Sequence, residues 1–179
     1  MKIEIKNIIH SVSLSEETNA FVADLYVDGK KIAKCSNNGR GGMTKIEALY
    51  SKNEIEKKQY RQLLLDAEQF AKTLPKKSGL PMTLDFYIDI KIGEDLQSKS
   101  IKKSIKKLDK LSEKNIIVIS KSQLENYLAG KTTELKYKLY GDGKNPLNAF
   151  SEGVLRLRMR NIELRFINDE MFYNKNLPK

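Results

Sequence analysis

The chain has 179 residues, of which 40% are hydrophobic and 31% are charged. This length suits one domain, or one domain with a small appendage, and it can bury a core without a metal or disulfide staple. Cys35 is the only cysteine and His10 the only histidine, which excludes an internal disulfide and a zinc site built from His and Cys. Ser-His-Asp catalysis would depend on His10, whose simpler interpretation is a surface or packed histidine.

The formal net charge is +10 and the isoelectric point is near 9.5. A basic chain attracts nucleic acid, nucleotides, acidic proteins or anionic lipid. Lysine also accumulates without functional cause in AT-rich genomes, together with asparagine and isoleucine. The opening "MKIEIKNIIH" lacks the apolar region of a secretory signal, and no run of about 18 apolar residues occurs. We therefore expect a cytoplasmic location and no membrane partner.

Alternation of apolar and polar residues predicts three antiparallel strands within the first 36 residues. Residues 2–9 alternate Ile3 and Ile5 with charged neighbours. A second strand begins near residue 21, and the dipeptide Asp28-Gly29 predicts a tight hairpin that leads into a return strand over residues 31–35.

The spacing of apolar residues then changes to three and four, which predicts an amphipathic helix over residues 52–74. The segment "LPKKSGLP" ends this helix and marks an internal boundary, because proline and glycine interrupt regular structure. Residues 1–77 are therefore predicted to form a βββα unit.

In the second half of the chain, some patterns fit more than one kind of element. Residues 83–96 alternate in a way that favours a strand, although a helix is also compatible. The run "LQSKSIKKSIKKLDKL" over residues 96–111 predicts a helix with lysines on its outer side. A short strand over residues 115–120 and a helix over residues 121–130, with Gly130 just past its end, follow.

After a further strand near residues 135–140, the pattern over residues 147–167 fits either two short strands or one helix. The predicted fold class is α+β, with an N-terminal antiparallel three-stranded sheet carrying a long amphipathic helix. A basic α/β extension over residues 78–179 is predicted to pack on it, giving one compact domain overall.

The loop "CSNNGRGGMT" is the first candidate site. Glycines allow close approach of a ligand to backbone amides, and an arginine can bind phosphate with two hydrogen bonds. The spacing matches neither a P-loop nor a dinucleotide-binding motif, so a shaped turn is the alternative. The candidate ligand-binding residues of this loop are Asn38, Gly39, Arg40 and Gly41.

Two further basic features are candidate phosphate-binding surfaces. The lysine-rich helix contributes Lys102, Lys103 and Lys106. The run "RLRMR" would place Arg156, Arg158 and Arg160 about 7 Å apart on one strand face, near the phosphate repeat of a nucleic-acid strand. For both features a solvated face without a ligand is the alternative.

Acidic residues offer one weaker candidate. Asp85 and Asp89 share a face in either a helix or a strand, and with Glu94 or Asp95 nearby they could hold a divalent metal. Solvent-facing acids on an apolar element account for the same pattern, so we expect no cofactor and no metal.

The first 75 residues resemble the opening of a largely uncharacterised family of small bacteriophage and mobile-element accessory proteins. The shared pattern runs H-S…S-E-E-T…F-x-A-x-L-Y-x-D-G-K and ends in an N-x-G-x-G-G loop, and "DAEQFAKTLP" is similar to a helix of those relatives. The resemblance implies a helix at residues 83–96. It also implies an accessory role in the host cytoplasm, on host components or nucleic acid, in host takeover or counter-defence. The matching residues are His10, Ser11, Ser15, Glu16, Glu17, Thr18, Phe21, Ala23, Leu25, Tyr26, Asp28, Gly29, Lys30, Asn37, Gly39, Gly41 and Gly42.

These observations predict a non-enzymatic protein that binds a phosphate-bearing partner, either nucleic acid or a host signalling nucleotide, through basic surfaces. One alternative is a protein-protein inhibitor of an acidic host enzyme. The other is a metal-dependent hydrolase that uses Asp85, Asp89 and Glu94.

Overall fold

The computed structural model describes residues 1–77, 79–112, 116–140 and 170–173. Their fold is α+β, as the sequence predicts. The chain divides into two compact units, Met1–Leu96 and Gln97–Lys179. The segment "LPKKSGLP" lies between two helices of the first unit.

Unit 1 contains an antiparallel sheet with strand order β1-β2-β3-β4. The four strands are β1 (Ile3–Ser11), β2 (Ala20–Val27), β3 (Lys30–Asn37) and β4 (Lys45–Ala48). The three predicted strands are confirmed. The prediction of a three-stranded sheet is wrong by one strand, because the four-residue β4 is too short to show a recognisable alternation.

The predicted hairpin joins β2 to β3 through two residues, Asp28 and Gly29, with φ angles of 48° and 82°. Positive φ at both positions matches the twist of the flanking strands, and Asp-Gly tolerates it well. The register places Val27 opposite Lys30 and Phe21 opposite Asn37. The register shifts by one residue between these two pairs, at Leu25 and Tyr26, so the turn and this irregularity together determine which β3 side chains face the core.

Helix α1 (Glu54–Thr73) confirms the predicted amphipathic helix. Asn53 caps its N-terminus by accepting from the N–H groups of Ile55 and Glu56. Its buried residues, Ala67 and Ala71, belong to the same core as the inward residues of β2 and β3. One face of the sheet is therefore covered.

Helix α2 (Leu84–Ser112) overturns the strand interpretation of residues 83–96. Leu84, Ile88 and Ile92 are all buried in the unit 1 core, at 3%, 0% and 0% exposure. Residues spaced by four lie on one face of a helix, and they also satisfy an alternating pattern. The observed element is one helix of 29 residues, whose later part is the predicted lysine-rich helix.

Unit 2 contains the later part of α2, the strand β5 (Ile116–Ser120) and the helix α3 (Lys121–Leu128). Strand β5 lies between β6 (Lys138–Tyr140) and β7 (Glu170–Tyr173) in a three-stranded antiparallel sheet. The predicted β5 and α3 are confirmed, and Gly130 follows α3 with a φ angle of 73°. The prediction for residues 147–167 lies outside the described residues. Within the described part of the chain, no helix is both long and apolar enough to cross a membrane.

Candidate phosphate-binding sites

The glycine loop over residues 38–44 joins β3 to β4, so a strand follows it rather than a helix. Its backbone is hydrogen-bonded to the turn that precedes β2. The Gly39 carbonyl accepts hydrogen bonds from the N–H groups of Glu16, Glu17 and Thr18, at 3.0, 2.9 and 3.2 Å. Gly39 has a φ angle of 85°, and a β-carbon there would collide with the Leu14 carbonyl oxygen. This position therefore requires glycine.

The Asn37 side chain organises the interior of the loop. Its Oδ1 accepts from the Gly39 N–H at 2.9 Å and from the Thr18 hydroxyl at 3.0 Å. Its Nδ2 donates to the Gly42 carbonyl at 2.9 Å and lies 3.4 Å from the Thr44 hydroxyl oxygen. Asn37 is 8% exposed, and its buried amide is hydrogen-bonded through both atoms.

Thr44 connects this loop to α2 by donating its hydroxyl proton to Asp89 Oδ1 at 2.5 Å. Burial raises the pKa of Asp89 above its ordinary value, and the negative charge of Asp85 raises it further, while the Thr44 hydrogen bond opposes the shift. Burial also raises the pKa of the Cys35 thiol to about 12, which makes it an unreactive core residue. The loop thus forms one end of a polar network inside unit 1.

The geometry of the loop bears on its predicted phosphate contact. The N–H groups of Gly39, Arg40 and Gly41 donate to Asn37, Asn38 and Thr18 side chains, at 2.9, 3.2 and 3.4 Å. A β-carbon at Gly41 would meet the Glu17 carboxylate, so a negative charge lies against the loop. A ligand would have to displace these donors to reach the amides. Arg40 is exposed, and its contact with phosphate stays a prediction.

Helix α2 carries the six lysines that were predicted on the outer side of a helix. All six are exposed, and we call them the lysine face: Lys99, Lys102, Lys103, Lys106, Lys107 and Lys110. At 100° and 1.5 Å per residue they occupy an arc of about 140° and an axial length of about 16 Å. Within the described residues, none of the five from Lys102 onward has an ion pair.

The two units differ strongly in charge. Met1–Leu96 contains 15 basic and 14 acidic residues, a formal charge of +1, whereas Gln97–Lys179 contains 18 basic and 9 acidic residues, a formal charge of +9. Nearly all of the net charge of the chain therefore belongs to the unit that carries the lysine face.

The acidic residues proposed for a metal have other contacts. Asp89 is bonded to Thr44, and the Glu94 carboxylate lies 2.7 Å from the Lys91 ammonium group. Among the described residues, no group of three or more His, Cys, Asp or Glu side chains could hold a metal ion. The His10 Nε2 atom lies 3.1 Å from the Ser15 hydroxyl, which itself donates to the Ser11 carbonyl.

The remaining candidates, Arg156, Arg158 and Arg160, lie outside the described residues. The network of Asn37, Thr44 and Asp89 was not among the predicted sites, although alternation along β3 places Asn37 on the same face as Ala33 and Cys35. No protein-family model, curated protein sequence or solved structure matches this chain. The resemblance to phage accessory proteins therefore stays a prediction from the motif residues.

Proposed function

We propose that the protein binds the phosphate backbone of nucleic acid, without enzymatic action, through the lysine face of α2. The observation that supports this most is the exposure of six lysines on one arc of one helix. Double-stranded DNA carries one negative charge per roughly 1.7 Å of axis, so a row about 16 Å long can contact several phosphates at once. A single nucleotide would meet only part of this row, which favours a polymer.

The charge distribution supports the same proposal. Unit 2 has a formal charge of +9, and a field of one sign accelerates the approach of a polyanion. In the accessory role that the sequence resemblance implies, such binding would serve host takeover or counter-defence.

The test is the salt dependence of binding to a fluorescent oligonucleotide. The triple variant Lys102→Gln, Lys103→Gln, Lys106→Gln keeps helix propensity nearly constant. Each lost phosphate contact lowers the slope of log K against log salt by about 0.7 to 0.9, so we expect a decrease of about 2 to 3.

The matched control changes three exposed lysines of unit 1, Lys58→Gln, Lys72→Gln and Lys76→Gln, with the same change in net charge. We expect this control to keep the wild-type slope. Equal loss in both triple variants, or no binding of any nucleic acid at low salt, would overturn the proposal.

An acidic protein surface would be attracted to the same lysines. Pull-down from a nuclease-treated host lysate separates the two partners, because a nucleic-acid partner disappears after this treatment and a protein partner stays.

A further inference from the structure

Unit 2 contains a cavity of about 210 Å³ beside the lysine face. Its wall includes α2, α3 and the segment that follows α3. The lining residues used below are Ser104, Lys107, Leu108, Tyr127, Glu134 and Tyr137. Drug-sized ligands occupy roughly 300 to 1,000 Å³, so this cavity suits a single ring system.

The inner part of the cavity is fixed by packing. Leu108 and Tyr127 are 1% and 3% exposed. The Tyr127 hydroxyl donates to the Ser104 hydroxyl oxygen at 2.7 Å, which ties α3 to α2. A buried tyrosine with a satisfied hydroxyl presents a rigid wall.

The outer wall is also held in place. With its amide oriented to satisfy both groups, Gln123 donates to the Lys136 carbonyl at 3.1 Å and accepts from the Lys136 N–H at 3.2 Å. This pair anchors the segment that carries Glu134 and Tyr137. Tyr137 is half-buried, so part of its ring stays accessible at the cavity.

Lys107 belongs both to the cavity and to the lysine face. A phosphate held by the lysine face therefore lies next to an opening lined by tyrosine, hydroxyl and carboxylate groups. Aromatic side chains stack on bases that are not paired, whereas bases inside a duplex are already stacked on one another. The Glu134 carboxylate can accept a hydrogen bond from a base amino group.

We propose that this cavity takes one unpaired nucleobase of a strand whose phosphates contact the lysine face. The protein then prefers single-stranded over double-stranded nucleic acid. This inference rests on the proposed function, because the lysine face must first hold the strand.

The experiment compares a single strand with a duplex of the same sequence at one salt concentration, using the full chain. We expect tighter binding of the single strand. Tyr137→Ala should weaken single-strand binding about 5- to 150-fold, the range for loss of one base-aromatic stack. Duplex binding and the salt slope should stay unchanged, because the lysines are intact.

Two further variants complete the design. Ser100→Leu fills the cavity from an exposed helix position and should remove the single-strand preference without loss of folding. Tyr50→Ala removes a tyrosine that is 82% exposed in unit 1, and it should change nothing. Two outcomes overturn the cavity assignment alone, provided that binding stays salt-dependent. One is equal binding of the single strand and the duplex by the wild-type protein. The other is an unchanged single-strand preference in the Ser100→Leu variant. If the wild-type protein shows no salt-dependent binding of either nucleic acid, the proposed function is overturned instead.

Discussion

Two aspartates of unit 1 show how the surroundings of a residue determine its pKa. Hydrogen bonds from Asn7 and Lys31, each 2.8 Å long, lower the pKa of Asp24. Asp89 accepts a hydrogen bond from Thr44, which lowers its pKa, but burial and the nearby Asp85 charge raise it, and the net shift is upward. The Asp24 carboxylate is therefore stabilised in its ionised form, whereas the ionised form of Asp89 is destabilised.

The Asp89 shift gives stability a defined pH dependence. Because its pKa is raised on folding, the folded chain holds this proton at a higher pH than the unfolded chain does. The stabilising contribution is full below the ordinary value of 3.8 and is lost as pH rises through the folded pKa. Asp89→Asn should therefore increase the free energy of unfolding at pH 7, and the gain should vanish at acidic pH.

Urea unfolding of Asp89→Asn across this pH range provides the measurement. The asparagine Oδ1 can still accept from Thr44, so the network keeps its hydrogen bond. Glu47→Gln, at an exposed position of β4, serves as the control and should stay within about 0.5 kcal/mol of wild type. A destabilised Asp89→Asn at pH 7 would contradict the assigned direction.

Among the elements, those with local signals could be predicted from the sequence. The Asp28-Gly29 turn, the spacing in α1 and the glycine after α3 each depend on residues close in sequence. Strand β4 gave no such signal, because it has four residues and depends on pairing with β3.

The candidate sites likewise contain some features that local sequence predicts and others that depend on distant contacts. The lysine face follows from helical spacing alone, so its residues could be predicted. The Thr44 to Asp89 hydrogen bond joins positions 45 residues apart, and the cavity joins α2 to a segment beyond α3. Contacts at such separations depend on tertiary packing, which one sequence does not reveal.

The helical assignment of residues 84–96 can be tested by comparing two isoleucines. In a strand, Ile88 and Ile90 would share one face, whereas in α2 Ile88 is fully buried and Ile90 is only half-buried. Ile88→Ala should lower the free energy of unfolding by about 2 to 5 kcal/mol, and Ile90→Ala by about 1 kcal/mol. Chemical denaturation measures both, and equal costs would contradict the helix.

At the scale of the whole molecule, charge and core are distributed differently. Among the described residues, the hydrophobic cluster that includes Leu25, Ile32 and Ile88 lies in unit 1, which is nearly neutral, while unit 2 has a formal charge of +9. A concentrated positive charge lowers the stability of a compact unit through self-repulsion, and bound polyanion relieves it. Binding of nucleic acid should therefore stabilise unit 2 more than unit 1.

The absorbance of the purified protein offers a direct check of nucleic-acid binding through the lysine face. The chain has 8 tyrosines and no tryptophan, so its own absorbance at 280 nm is weak and bound nucleic acid is easily detected. We expect protein purified at low salt to show an excess of absorbance at 260 nm. The excess should disappear after washing at roughly 1 M salt, where the Debye length is about 3 Å. It should also be smaller in the lysine-face triple variant than in the unit 1 control, since equal carry-over would indicate a contribution of net charge rather than of this surface.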